Sequence, residues 1–390
     1  MRSFHHTESV AHNRRTALSL TIAIVMTAGA VSSCKTSTQM DPPVLAGTPS
    51  PRVTEGKLTP PLINAAWAMR TREHVDLWLH SYAMLSADTT FVPYFRRGYR
   101  ERMNTIRKQK NVSSLLDVNR GKLLNGILSQ PELGTSGQFL PLYFGSWEQM
   151  KNVIDMFIRN NGNPGTAADP NYRQYFGLLS AAFPNVAARE WLKMMAESVD
   201  DENRKFYEDY WTSQAKSHAL MVAKTDSLWQ RQWRPQLQRF LNNTQQQNGE
   251  LYLSLPLGGE GRTVHFGKSE NAIAGPMVES MSEAEIVLYV VAHEATGAAA
   301  SAAIADNTTP ADQRAGTASR YEQIAAVRAG AMLLERTIPT AVPGYMRFYL
   351  QAVGKLPPAD SKAMFASTFA LPDAIRDALV RQFDVILGGI

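Results

Sequence analysis

The chain has 390 residues, enough for one large domain or two. With 44% hydrophobic and 19% charged residues it has an ordinary globular composition and can bury a sizeable core. The formal net charge is +5, and +3 without the first 33 residues, which is too small and too scattered to point to a nucleic-acid partner.

The N-terminus is the most legible stretch. "RRTALSLTIAIVMTAGAVSSC" has a basic start at Arg14 and Arg15, an apolar middle and small residues before Cys34. Thr, Ser and Gly interrupt Thr16–Ser33 too often for a convincing spanning helix. The run resembles a bacterial lipoprotein signal, because Val31-Ser32-Ser33-Cys34 fits the lipobox, whose cysteine is lipidated and becomes the mature N-terminus. An ordinary signal peptide or a retained anchor is the other reading. Cys34 is the only cysteine, so no internal disulfide can form and the thiol is free for lipidation. The resemblance implies a signal peptide over 1–33, the membrane as partner through the lipidated N-terminus, and a place in the bacterial cell envelope. Lys35 stands where a retention Asp would sit, which favours the outer membrane if the host has one.

Residues 34–61 are rich in Pro, Ser, Thr and Gly without periodic apolar positions, and read as the lipidated cysteine with a flexible tether. From Leu62 to 248 the spacing predicts a helical region. "LINAAWAMRTREHVDLWLHSYAML" is helical in pattern, and "WEQMKNVIDMFIRNNG" closes on a helix-stop signature at Gly162. Ala187–Asn243 predicts two or three helices, with Pro235 starting or kinking one. At Gly249 the pattern changes, and "ELYLSLPLGGEGRTVHFGKSENAIAGPMV" predicts two or three short strands. A long apolar helix follows, with Ser282 as N-cap and Glu285 as its capping-box partner. After it come a helix over "TASRYEQIAAVRAGAMLLERT" and two shorter ones around Gly344–Val353 and Asp373–Leu387. The expected class is α+β, mainly α.

The apolar helix carries the candidate site. In "VLYVVAHEATGAAASA" the faces flanking His293 and Glu294 are both apolar, so an imidazole and a carboxylate are buried side by side. Such groups need partners, and they are site candidates as well as candidate structural ion pairs. The region from Gly249 to Leu350 resembles the zincin metallopeptidases, in the branch whose third zinc ligand is a glutamate on a later helix. In that family a strand edge precedes a His-Glu-x-x-His helix, whose two histidines grip zinc and whose glutamate activates the metal-bound water. The resemblance implies a zincin-like core over 249–390, with a small mixed β-sheet next to the active-site helix and helices on either side. It implies His293 as a zinc ligand, Glu294 as the catalytic base and Glu322 as the glutamate ligand. The small residues Ala318, Ala325, Ala326, Ala329 and Gly330 on the face of Glu322 independently favour a tight helix contact there. Tyr345 and Tyr349 fall where zincins often place an oxyanion-stabilising residue, and a helical core explains them equally well.

The departure is Gly297, which stands where the second histidine belongs. Two protein ligands then remain where a catalytic zinc has three, so zinc binding is expected to be weak or absent. His265, on the preceding strand, could join as a metal ligand or simply face solvent. Other chemistries fit worse. The "GKS" at 267–269 lacks the glycine of a phosphate loop, "GGEG" is no dinucleotide fingerprint, and no G-x-S-x-G elbow is present. Three readings follow: an inactive or impaired zincin-like lipoprotein taking a peptide or protein ligand, an active zinc metallopeptidase with altered ligands, or an unrelated helical binding or structural lipoprotein.

Overall fold

A computed structural model describes residues 66–85, 92–163, 170–267 and 270–388. The signal, Cys34 and the tether over 34–61 lie outside these residues.

The described chain is mainly helical with one small mixed sheet. β1 (Ala68–Arg70) leads into α1 (Glu73–Leu85), α2 (Tyr99–Gln109), α3 (Leu115–Ser129), the single turn α4 (Pro131–Thr135), α5 (Trp147–Arg159) and α6 (Pro170–Ala182). Then come α7 (Val186–Glu202), α8 (Glu208–Leu228) and α9 (Arg234–Asn243), followed by β2 (Asn248–Ser254), β3 (Arg262–Gly267) and β4 (Glu270–Pro276). The C-terminal part holds α10 (Glu285–Ala295), α11 (Gly297–Ala305), α12 (Pro310–Arg314), α13 (Thr317–Thr337), α14 (Val342–Ala352), α15 (Lys362–Thr368) and α16 (Asp373–Gly388).

Local chemistry accounts for several boundaries. The Ser146 hydroxyl accepts from Gln149 N–H at 3.1 Å at the start of α5, and the Asn185 side chain accepts from Ala188 N–H at 2.8 Å at the start of α7. α5 stops as expected, with Asn161 and Gly162 both left-handed. One expectation needs correction. Ala68–Arg70, in the first helical pattern, is a strand, because it pairs in parallel with β2 from Ala68 opposite Glu250 to Arg70 opposite Tyr252. The two or three helices expected between Ala187 and Asn243 are three, α7, α8 and α9, joined through π turns at Asn203–Tyr207 and Trp229–Trp233. Pro235 falls directly after the second π turn, in the first turn of α9, where its missing N–H costs least.

The sheet order is β1-β2-β4-β3, with β1, β2 and β4 parallel and β3 antiparallel at the edge. Side-chain alternation gives it two buried faces. Tyr252, Val264, Ala272 and Ala274 cluster with Val75 and Leu79 of α1. Leu251, Leu253 and Ile273 join the larger core with Val287, Leu288 and Val291 of α10. That core draws residues from both sides of Gly249, so the change of pattern there is a change of secondary structure within one core.

Buried polar groups tie α1 to the rest. His74 Nε2 donates to the Phe144 carbonyl at 2.8 Å, and burial pushes its pKa down to about 4. Asp76 accepts from Leu255 N–H at 3.1 Å and from Trp211 Nε1 at 2.9 Å, yet burial pushes its carboxyl up to about 7. His80 lies between the Tyr99 hydroxyl at 3.0 Å and Glu202 at 3.2 Å. Glu202 also accepts from Arg107 at 3.0 Å and from the Ser114 hydroxyl.

Candidate metal centre

α10 forms because Ile286–Ala295 contains no Gly or Pro and is apolar enough to be buried almost all round, as expected; every residue from Val287 to His293 is buried. The run Met281–Ala305 is long and apolar enough to cross a membrane, but two-thirds of it is buried inside the fold, as suits a core helix. The expected capping box at Ser282 and Glu285 does not form. The segment enters through a short 3-10 turn at Met281–Glu283, and Glu285 instead accepts the Tyr289 hydroxyl at 2.5 Å. The helix breaks at Thr296, whose hydroxyl donates back to the carbonyls of Ala292 and His293 at 3.0 and 2.9 Å. Gly297 therefore stands one residue beyond a break, and a Cβ there would meet no atom within 4 Å.

At the end of α10, Glu260, His293 and Glu294 each bring one ligand atom within 4.8 Å of the others, a group that could hold a metal ion. His293 Nδ1 and Glu294 Oε1 are 3.0 Å apart, and the Thr263 hydroxyl of β3 donates to Glu294 Oε2 at 3.1 Å. The Tyr349 ring of α14 stacks on the imidazole with centroids 5.4 Å apart and planes 21° apart. His293 Nε2 has no hydrogen-bond partner among the described residues. Burial by itself disfavours the imidazolium. The hydrogen bond and charge of Glu294, with the charge of Glu260, outweigh that and raise the His293 pKa above its usual value.

Three close approaches fix this geometry. A Cβ on Gly261 would stand 2.2 Å from the Ala274 carbonyl and 2.8 Å from Val290, so the loop before β3 lies directly on α10. A Cβ on Gly330 of α13 would stand 3.1 Å from the His293 backbone nitrogen and closer still to the Tyr345 phenol. One on Gly344 of α14 would overlap Tyr289. At these positions only glycine allows the observed spacing.

Of the residues predicted for the site, His293 and Glu294 come together and the others do not join them. Glu322 is exposed and outside the group. The small-residue contact expected around it exists, but its centre is Gly330, about 12 Å further along the α13 axis by helical rise. His265 is exposed on the edge strand and bonds through Nδ1 to the side chain of Asn271, its partner on β4. The Tyr345 hydroxyl donates to the Val327 carbonyl at 2.9 Å, so it is committed to α13; the ring against His293 is that of Tyr349. His74 and His80 have the partners described above and take no part. Sequence reasoning missed Glu260. Its signal was a single acid between glycines in "GGEG".

One imidazole and two carboxylates can bind a divalent cation, or can hold one proton on the imidazole between two negative charges. Comparison with family models, with curated proteins and with solved structures gives no significant match.

Proposed function

We propose that this chain is a membrane-anchored lipoprotein of the bacterial cell envelope, built on a zincin-like scaffold that no longer hydrolyses peptide bonds and serves as a binding or structural component. The observation that carries the reading is the state of Glu294. The glutamate that follows the first histidine activates water in the family; here its two oxygens are engaged by His293 Nδ1 and the Thr263 hydroxyl. Gly297 supplies no second nitrogen, and Glu322 faces outward. The scaffold reading is supported by an edge strand beside α10 and by α13 packed across it at Gly330.

If zinc binds, His293 and the neighbouring carboxylates would hold it, and it would supply Lewis acidity and a more acidic bound water. The chain's own groups keep the imidazole fixed, through Glu294 on one nitrogen and Tyr349 across its face. An active peptidase with an altered ligand set is the second reading, favoured by the retention of Glu294 beside a metal-competent group.

The test compares peptide hydrolysis and zinc affinity of the full chain and a Gly297→His variant. The expected result is no hydrolysis by the native chain. Zinc should bind more tightly to Gly297→His, and that gain should vanish with His293→Ala. Hydrolysis by the native chain would establish the second reading. Unchanged zinc affinity in Gly297→His would leave an unrelated helical lipoprotein.

A further inference from the structure

Glu260 reaches the interior through its backbone neighbours. A Cβ on Gly258 would stand 3.0 Å from the Arg96 backbone, one on Gly259 3.0 Å from the Pro93 carbonyl, and one on Gly261 2.2 Å from the Ala274 carbonyl. The loop is also hydrogen bonded: Gly258 N–H donates to the Tyr94 carbonyl at 2.7 Å, and Gly259 and Glu260 N–H to the Pro93 carbonyl at 3.2 and 3.1 Å. The chain is pressed against its surroundings on both sides of its one acidic residue. Glu260, only 7% exposed, is thereby held beside Glu294 and His293.

Two carboxylates in so dry a place need compensating charge. A protonated His293 supplies one positive charge; a divalent cation supplies two. The independent sign of a ligand is His293 itself. Its ring is 3% exposed, one nitrogen is held by Glu294, and Nε2 has no hydrogen-bond partner among the described residues. An ion shared with Glu294 takes the nitrogen that faces it, Nδ1, which at 3.0 Å from Glu294 Oε1 already has the spacing of two donors on one ion. Donor atoms on one zinc-like ion at about 2.1 Å stand roughly 3–4 Å apart, so the observed spacing of at most 4.8 Å needs only small side-chain shifts.

We propose that Glu260, His293 and Glu294 form a divalent-cation site of one imidazole and two carboxylates, with Glu260 as the ligand that compensates for the absent second histidine. The compensation rests on the scaffold reading above; the site rests on the three side chains. The imidazole selects against Ca²⁺ and Mg²⁺, and the mixed donor set suits Zn²⁺ and Mn²⁺.

The full chain, stripped with a chelator and held in detergent, is titrated separately with ZnCl₂ and MnCl₂. Bound metal is read by elemental analysis and by the shift in melting temperature. One equivalent should bind, with Glu260→Gln and His293→Gln each weakening it by about 100-fold. Glu322→Gln should leave it unchanged. Circular dichroism of each variant separates lost binding from lost folding, and the near-isosteric Glu260→Gln is the decisive one. No retained ion, or binding indifferent to Glu260→Gln, overturns the proposal. So does loss of the ion in Glu322→Gln, which would instead strengthen the scaffold reading. Glu260-dependent binding, together with unchanged zinc affinity in Gly297→His, would keep the site and sink the scaffold.

Discussion

Glu260 and His293 bring a carboxylate oxygen and a ring nitrogen within 4.8 Å of each other, although one sits in a loop before the edge strand and the other near the end of a core helix. Gly261 makes the approach possible, because the loop backbone at that point lies against the Ala274 carbonyl and Val290 with no room for a side chain.

Gly261→Ala should therefore destabilise the fold by about 3 kcal/mol, since backbone and a packed side chain must both move to admit one methyl group. Gly297→Ala is the matched control. Its Cβ enters open space at the start of α11, and alanine is the better helix former, so stability should rise by up to about 1 kcal/mol. Urea unfolding of the two variants checks both, and a neutral Gly261→Ala would contradict the close approach.

The strands, the apolar helix and the helices after it were legible because their periodicities are strong and their boundaries carry Gly and Pro. The His293–Glu294 pair was legible because two polar residues interrupt an apolar helix. Glu260 was not, because nothing local distinguishes an acid in a glycine-rich turn from a solvated one; its burial comes from contacts with Pro93, Tyr94 and Ala274, all distant in sequence. Glu322 misled for a related reason. Helical spacing fixes which face a residue shares, but not where along α13 the crossing with α10 falls, and the crossing falls two turns later at Gly330. Ala68–Arg70 became a strand because β2 offered it a parallel partner, a tertiary effect that helical spacing does not reveal.

Cys34 carries the localisation reading, which predicts that Cys34→Ser abolishes lipid attachment. Expressed in a bacterial host with acylated lipids labelled, the native chain should incorporate label and sediment with membranes, and the variant should not incorporate it. Equal labelling of the two would exclude this cysteine as the anchor.

His74 should make the fold acid-sensitive. Burial holds its folded pKa at about 4 against the ordinary 6.5, so above pH 6.5 it is neutral in both states and contributes no pH dependence. As pH falls from 6.5 to 4 the unfolded chain gains a proton that the folded chain refuses, and stability drops by roughly 3 kcal/mol. Asp76 acts in the opposite sense: burial raises its pKa from 3.8 to about 7, so its contribution weakens as pH rises through that range. Comparing the native chain with His74→Gln removes the Asp76 contribution from the difference. The native chain should lose stability relative to the variant between pH 6.5 and 4, and parallel stability curves would show that His74 is not held neutral.

The His80–Glu202–Arg107 group should behave as a buried ion network. Glu202 is fully buried at the last position before a π turn, with Arg107 at 3.0 Å and His80 at 3.2 Å. Arg107 also reaches Asp117 at 2.5 Å, but Asp117 is partly exposed, so water can replace that contact. Removing the guanidinium with Arg107→Met strands the Glu202 carboxylate in the core and should cost about 3–5 kcal/mol. Glu202→Leu added to Arg107→Met removes the stranded charge, so the double variant should recover part of that loss, with His80 then lacking its carboxylate partner. A double-mutant cycle by urea unfolding reads the coupling directly. An Arg107→Met penalty below about 1 kcal/mol, the range of exposed pairs, would mean that Glu202 is already neutralised by other groups.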